Sequence, residues 1–398
     1  MGTVLLAWEA GLGLGHLMNL RPLAVGLTER GHRMVVALRD LSPMARRLLG
    51  PDVHFIQAPF KHQRIRDVDP ICTFAHVLHS IGFGDAEELA LLAEAWRHLY
   101  RQIEPDLIVF DHGPTALLAG RDLHARKATI GTGFFCPPDV TPLPNLRTWL
   151  RPDPNQLLSD ELQILENVNA VLHRWGQRPL DWLAQLYHPL DEHFLLTFAE
   201  LDPYAQRGAA DYRGMWSGGL GGTPEWPAGE GRRVFGYLKP FPALPQLLDA
   251  LARLPNPTLL HIAGADSRLL DLFRRDNVRF CSEPVEMVQA SRQCDLAILN
   301  ATPATTVAML LAGKPALHIP IYLEQLLSAI AAERLGAAIG ASPTDAPRMV
   351  AALHSLLASD RFAAAAQSFA TRYADYNATG QIERLVDQAD RLAGRSGG

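Results

Sequence analysis

The chain has 398 residues, 48% of them hydrophobic and 20% charged, which is more than one core of ordinary size and ample apolar material for two. Its net charge of −5 excludes the basic face that a nucleic-acid backbone calls for. No stretch approaches the roughly 20 apolar residues of a membrane span, and residues 1–16 lack the basic segment and the ~7–15-residue apolar run of a secretory signal. Cys72, Cys136, Cys281 and Cys294 are far apart without CxxC spacing, which fits reduced thiols and neither a disulfide framework nor a zinc site. A cytoplasmic protein is expected, monomeric or homodimeric, with no nucleic-acid partner and no transmembrane segment.

In chain order, residues 4–8 read as a buried strand that leads into a glycine-rich turn over 11–15. A helix follows with Leu17, Leu20, Leu23, Ala24 and Leu27 on one face, and Gly31 is its left-handed stop. Strands are expected over 34–38 and 53–57. A long helix over 86–103 carries Leu89, Leu92, Trp96, Leu99 and Ile103 at spacings of three and four, and Pro105 ends it before a strand over 107–110. This alternation indicates βαβ units around a parallel sheet. Residues 136–160 hold Pro137, Pro138, Pro142, Pro144, Pro152 and Pro154 and are expected to form an irregular loop over a binding site. Helical periodicity returns over 160–173 and 180–186. The run 216–231 is dominated by glycine and proline and reads as a linker. Beyond it the alternation restarts, with strands over 234–238, 258–262, 278–281, 295–299 and 316–319 and helices over 245–254 and 266–275. The expected fold is α/β: two Rossmann-like βαβ domains, 1–222 and 233–380, facing across a cleft and joined by a linker at 223–232. A C-terminal helix over 381–398 is expected to return to the first domain. In such sheets ligands bind beyond the carboxyl ends of the strands.

The glycine loop does not complete the dinucleotide pattern G-x-G-x-x-G, because the third position falls on His16 or Met18. Gly313-Lys314 is followed by Pro315 and is not a Walker loop. The glycine loop ends instead on His16 at a helix start, where the helix dipole disfavours the imidazolium and keeps the ring in the neutral form a general base needs. Gly13 and Gly15 allow close approach to the backbone. Asp111, just past the strand 107–110, reads either as a helix cap or as a partner for His16. If the two strands are neighbours, both residues lie at one carboxyl edge, and Asp111 fixes the ring's tautomer and balances the charge formed on it. His112 projects differently and is given no role.

In the second half, Asn300-Ala-Thr302-Pro-Ala-Thr305-Thr306 lies between a strand and a helix. Its unpaired backbone N–H groups and threonine hydroxyls suit a diphosphate, although an ordinary capping turn has the same composition. Glu324 and Gln325 supply an acceptor and an amide that suit sugar hydroxyls. Lys239, just past the strand 234–238, adds positive charge for a phosphate if it faces the cleft. Phe134 and the loop 136–160 with Trp149 are assigned to an acceptor pocket.

Two segments, GLGLGHLMNLRPLAVGLTERGHRMVVAL and CDLAILNATPATTVAMLLAGKPALHIPIYLEQLLSAIAAERLGAAI, resemble inverting glycosyltransferases of the GT-B fold. The likeness is to the large family that includes UDP-glucuronosyltransferases and macrolide and plant secondary-metabolite glycosyltransferases. The resemblance implies His16 as the base that deprotonates the acceptor hydroxyl and Asp111 as the residue that orients it. It also implies Glu324 and Gln325 on the donor sugar, and Thr305 and Thr306 in the segment that contacts the diphosphate. The sequence departs from the family where histidine and two glycines are usual, since it has Asn300, Ala301 and Thr302, and where Ala304 replaces a further glycine. No aromatic precedes Pro284, so the base of the donor reads as uracil, thymine or another. The implied reaction is a bacterial-type, metal-independent sugar transfer from a UDP or TDP sugar as co-substrate, with no cofactor. The one DxD pattern, Asp67-Val-Asp69, lies away from the donor segment. Two alternatives share the fold: a sugar-nucleotide isomerase or epimerase, and a non-catalytic nucleotide-sugar-binding relative.

Overall fold

The computed structural model describes residues 1–11, 13–62, 68–217 and 221–394. Asp67, the first residue of the DxD pattern, and residues 218–220 of the linker lie outside this set. The chain divides into two compact units, Met1–Gly214 with Asn377–Gly398, and Met215–Tyr376.

The first unit runs β1 (Thr3–Trp8), α1 (Leu14–Glu29), β2 (Arg33–Leu38), α2 (Pro43–Leu49), β3 (His54–Gln57) and α3 (Phe74–Leu78). It continues with α4 (Ala86–Ile103), β4 (Leu107–Asp111), α5 (Pro114–Ala119), β5 (Arg126–Gly131), α6 (Pro154–Arg174) and β6 (Glu192–Leu195). The second unit runs β7 (Val234–Leu238), α7 (Leu244–Ala252), β8 (Thr258–Ile262), α8 (Ser267–Asp271), β9 (Val278–Cys281) and α9 (Met287–Gln293). Then come β10 (Leu296–Leu299), α10 (Pro303–Leu311), β11 (Ala316–His318), α11 (Leu323–Arg334), β12 (Ala338–Gly340), α12 (Ala346–Ala358) and α13 (Arg361–Arg372). The last helix, α14 (Ala378–Ala393), belongs to the first unit.

Each unit holds a six-stranded parallel sheet, ordered β3-β2-β1-β4-β5-β6 in the first and β12-β11-β10-β7-β8-β9 in the second. Strands buried on both faces are largely apolar, as residues 4–8 of β1 and all of β10 are. In the second sheet alternate residues feed two cores: Val234, Leu260, Ile298 and Leu317 on one face, Phe235, Leu259, Ala297 and Ala316 on the other. The direction of the chain through each sheet reverses once, between β1 and β4 and between β7 and β10. Those switch points open the crevices in which ligands of such sheets bind.

Most elements fall where periodicity places them. Strands β5, β6 and β12 have no counterpart in the sequence reading; β6, with its short EHFL run, follows a cis His188-Pro189 bond. Residues 180–186, expected as helix, hold only a 3-10 turn at Leu183–Leu186. Helix α6 starts earlier than expected, with Asp153 as its N-cap and Pro154 in its first turn. Residues 215–217, 221 and 222, read with the first domain, cluster with the second unit. There the Gly222 N–H donates to the Pro284 carbonyl at 2.9 Å, and the Glu286 N–H donates to that of Gly222 at 2.8 Å. Helix α14 lies against α1, where Gly26 leaves room for Val386: a Cβ at that glycine would stand 2.8 Å from both Val386 methyls. Arg30 pairs with Asp387 and Asp390, and His32 Nε2 lies 2.7 Å from Asp390.

His318 at the end of β11 is fully buried, and neither ring nitrogen has a hydrogen-bond partner among the described residues. Burial holds its imidazolium pKa down, from 6.5 to about 3. The unfolded chain takes up this proton below pH 6.5 while the folded chain refuses it until about pH 3. Stability from this group is therefore complete above pH 6.5 and lost as the pH falls toward 3. Urea denaturation at pH 7 and pH 5 should show His318→Leu losing less stability on acidification than the wild type, by on the order of 2 kcal/mol. An equal loss in both would contradict the neutral buried ring.

Candidate functional site

In the first unit the switch point is occupied by a histidine and a carboxylate. Strands β1 and β4 pair in parallel with Trp8 level with Asp111, so the residues just past both strand ends meet. Gly13 stands at the N-cap of α1 with φ 108°, a backbone glycine favours, and His16 enters on the helix's first turn. Its Nδ1 lies 3.0 Å from Asp111 Oδ1, and Asn19 Nδ2, one helical turn on, donates to Asp111 Oδ2 at 3.4 Å. Asp111 is fully buried and His16 is 7% exposed. The carboxylate accepts from Nδ1–H, which leaves the Nε2 lone pair as the ring's basic site. The helix N-terminus adds an environment unfavourable to positive charge on the ring.

Aromatic rings fix the imidazole. Trp8 stacks on it at 4.9 Å between centroids and 20° between planes, and Phe135 lies at 5.3 Å. His112, assigned no role from the sequence, stacks on Phe135 at 4.1 Å and carries φ 46° at the turn. Of the expected acceptor residues, Phe134 packs edge-on against Phe74 and Phe135, and its neighbour Phe135 is the one that reaches His16. Trp149 is 45% exposed and rests on the Arg147 guanidinium, its centroid 5.8 Å away. The turn bearing the two phenylalanines is held from below by Arg207, which donates to the carbonyls of Gly133 at 2.8 Å and Cys136 at 2.7 Å and pairs with Asp202. The reach of Phe135 to His16 and of Arg207 to Gly133 and Cys136 is not legible as a motif, because each acts across tens of residues.

The glycine loop touches His16 at a position the sequence reading passed over. A Cβ on Gly11, which has φ 85°, would stand 2.3 Å from His16 Nε2, whereas Cβ atoms on Gly13 and Gly15 would meet nothing within 4 Å. Glu9 is a further unanticipated participant. It is 3% exposed and accepts hydrogen bonds from the N–H groups of Thr115 at 2.6 Å and Ala116 at 3.0 Å. Burial drives its pKa up from 4.5 to about 7 despite those bonds.

The second unit places the donor candidates at its own switch point, with corrections. Asn300 is 4% exposed; its Oδ1 accepts from the Lys239 N–H at 2.6 Å and its Nδ2 donates to the Ile319 carbonyl at 2.9 Å. The amide expected on a phosphate instead ties the ends of β7, β10 and β11 together. Thr306 is also turned inward, 1% exposed, with Ser328 Oγ 3.4 Å from its hydroxyl. Thr302 and Thr305 remain half-buried at the start of α10, their hydroxyls 2.7 Å apart. Gln325 Oε1 accepts from the Ile321 N–H at 2.8 Å and shapes the turn into α11, while Glu324 stands half-buried beside it. Lys239 is exposed with its Nζ 6.0 Å from the ring of Tyr322, itself 50% exposed and absent from the sequence reading. Among the described residues no group of three His, Cys, Asp or Glu side chains gathers to hold a metal ion, and no helix is long and apolar enough to cross a membrane.

Gly11→Ala should shift the His16 ring signals in nitrogen-15 NMR and cost about 1–2 kcal/mol in urea unfolding, since the residue must keep a left-handed backbone beside the ring. Gly15→Ala, inside the helix and facing open space, should leave those signals in place and gain up to ~1 kcal/mol. Equal behaviour of the two variants would contradict the close approach at Gly11.

No protein-family model matches the sequence, and none of the curated proteins compared with it does. Solved structures do. The calicheamicin glycosyltransferase CalG4 aligns with a TM-score of 0.70 at 16% identity over 100% of this chain and 99% of its own. The glycosyltransferase VinC in complex with dTDP gives 0.68 at 17% identity, covering 98% of this chain and 100% of its own. The glycosyltransferase SnogD from Streptomyces nogalater gives 0.62 at 20% identity over 97% and 99%. With two Rossmann-like units of six parallel strands each, the chain has, along its whole length, the GT-B fold of these glycosyltransferases.

Proposed function

We propose that the protein is an inverting glycosyltransferase that moves a sugar from a nucleotide-diphosphate sugar to a hydroxyl of a small-molecule acceptor, with His16 as general base. The observation that carries this reading is the buried pair of His16 and Asp111, 3.0 Å apart at the carboxyl edge of the first sheet. With Nδ1–H donated to Asp111, His16 Nε2 takes the acceptor's proton as the acceptor oxygen attacks the anomeric carbon. The bond between that carbon and the diphosphate oxygen breaks on the opposite face, and the nucleoside diphosphate leaves with the electron pair. Asp111 then balances the imidazolium.

The second unit supplies the donor contacts in this reading. The first turn of α10 offers backbone N–H groups and the hydroxyls of Thr302 and Thr305 to the diphosphate, and Lys239 adds a positive charge. Asn300 is neutral, so Lys239 is the cation within this set. Glu324 takes sugar hydroxyls, and Gln325 holds its turn. The leaving-group charge is thus met by protein dipoles and one lysine, and the reading calls on no metal ion. VinC was solved with dTDP, which supports a thymidine or uridine diphosphate as the nucleotide. Around the base, Trp8, Phe135 and His112 form an apolar, planar setting suited to an acceptor with a flat or hydrophobic frame.

Calorimetry against UDP, dTDP, GDP and ADP identifies the nucleotide, and nucleotide release is then measured with the matching sugar donor and a panel of hydroxylated acceptors. His16→Ala should lower turnover about 10²–10⁴-fold while leaving nucleotide affinity unchanged. Turnover without nucleotide release would mean isomerisation of the donor, and binding without any turnover would mean a nucleotide-sugar binder. Unchanged turnover in His16→Ala would remove the base.

A further inference from the structure

We infer that Glu9 is a positioning residue for the His16–Asp111 pair, a buried clamp that joins the glycine loop to the turn carrying Asp111. The inference rests on the reading of His16 as the base.

Three features lead to it. The first is the placing of the carboxyl. Glu9 directly follows β1 and turns into the first unit, where Oε1 and Oε2 each accept one N–H from the first turn of α5, from Thr115 and Ala116. Helix α5 has no cap of its own: Gly113 stands at its N-cap with no side chain to offer, and the orphan N–H groups of that turn find their acceptor in Glu9.

The second is what the clamp holds. Between Asp111 and α5 lie only His112 and Gly113, and His112 adopts φ 46°, a conformation that costs free energy for a residue with a Cβ and persists only where its surroundings enforce it. The enforcing contacts come from the segment 8–11. The Ala10 N–H donates to the His112 carbonyl at 3.0 Å, Trp8 Nε1 donates to the Ala10 carbonyl at 2.6 Å, and Gly11 approaches both His16 and His112. Glu9 lies in the middle of that segment. It is therefore the side chain that binds the strand-end residues on the His16 side to the strand-end residues on the Asp111 side, while Trp8 stacks on the imidazole itself.

The third is the cost. A carboxyl removed from water is unfavourable unless it is hydrogen-bonded, and a leucine of similar volume would avoid that penalty but leave the Thr115 and Ala116 N–H groups without this acceptor. Both oxygens are satisfied by backbone N–H groups, so the carboxyl serves to specify one arrangement of two loops. It makes no contact with His16 or Asp111, and it acts through the turn.

Glu9→Gln keeps the size of the side chain but faces one of the two N–H donors with an amide NH₂. Two readouts separate positioning from a merely structural role. In nitrogen-15 NMR, with the His16 signal assigned by its loss in His16→Gln, the wild type should show a single tautomer protonated at Nδ1 and Glu9→Gln a mixture of both. In kinetics, kcat should fall by about 100-fold, the scale of a small misplacement of a catalytic group, with the donor KM within about twofold of wild type. Glu9→Asp, which keeps a carboxyl for the α5 turn but reaches only one N–H, should fold and fall between the two, and it carries both readouts if the glutamine variant does not fold. A single Nδ1–H tautomer and unchanged kcat in either folded variant would overturn the proposal. The tautomer readout needs no turnover. If His16→Ala leaves turnover intact, the base assignment fails; if His16→Ala is inactive and the Glu9 variants match wild type, only the clamp fails.

Discussion

The parallel pairing of β1 with β4 is the constraint on which the first unit's chemistry depends. These strands are separated by about a hundred residues, yet their register sets Trp8 level with Asp111 and thereby brings the two loops that follow them side by side. Side chains alternate between faces along a strand, so a slip of one residue would turn Asp111 to the other side of the sheet and leave His16 without its carboxylate. The apolar run of β1, buried on both faces, makes such a slip costly, because it would exchange the residues packed on each side. The geometry of the His16–Asp111 pair is thus secured by ordinary hydrophobic burial.

Both units use their sheets in the same way but finish them differently. In each, the strand order reverses once, and the candidate groups gather at that reversal: His16 and Asp111 beyond β1 and β4, Lys239 and Asn300 beyond β7 and β10. In the first unit the polar pair is directed at each other and backed by aromatic rings. In the second, the asparagine amide fastens three strand ends, and Lys239, the start of α10 and the start of α11 stand exposed or half-buried around it. A histidine at position 300 could carry charge to a phosphate. Asparagine at that position buttresses the sheet.

Several buried polar groups lie close to the candidate base, and their common property is that they join segments distant in sequence. Glu9 caps α5, Arg207 with Asp202 holds the turn bearing Phe134 and Phe135, and Asn19 shares Asp111 with His16. Such groups add little net stability, since desolvation offsets much of each hydrogen bond. Their effect is to leave the loops one low-energy arrangement, which is what a proton acceptor held in one tautomer requires.

Much of this architecture follows from local pattern alone. Apolar runs, helical spacing and the stops at Gly31 and Pro105 determine most of the strands, about half of the helices and the division into two βαβ halves, because those signals are read within a few residues of where they act. The placing of His16 at a helix start and Asp111 at a strand end is local too. Which of two adjacent phenylalanines faces the imidazole, whether the Asn300 amide meets ligand or backbone, and what the carboxyl of Glu9 binds are decided only when strands far apart in the chain pair. Glu9 meets Thr115 across 106 residues, and no periodicity near residue 9 encodes the helix end that it caps. Local sequence determines which elements form and which residues stand at their ends; the tertiary structure decides which of those ends meet, because hydrogen bonds between distant segments exist only once the sheet has set their register.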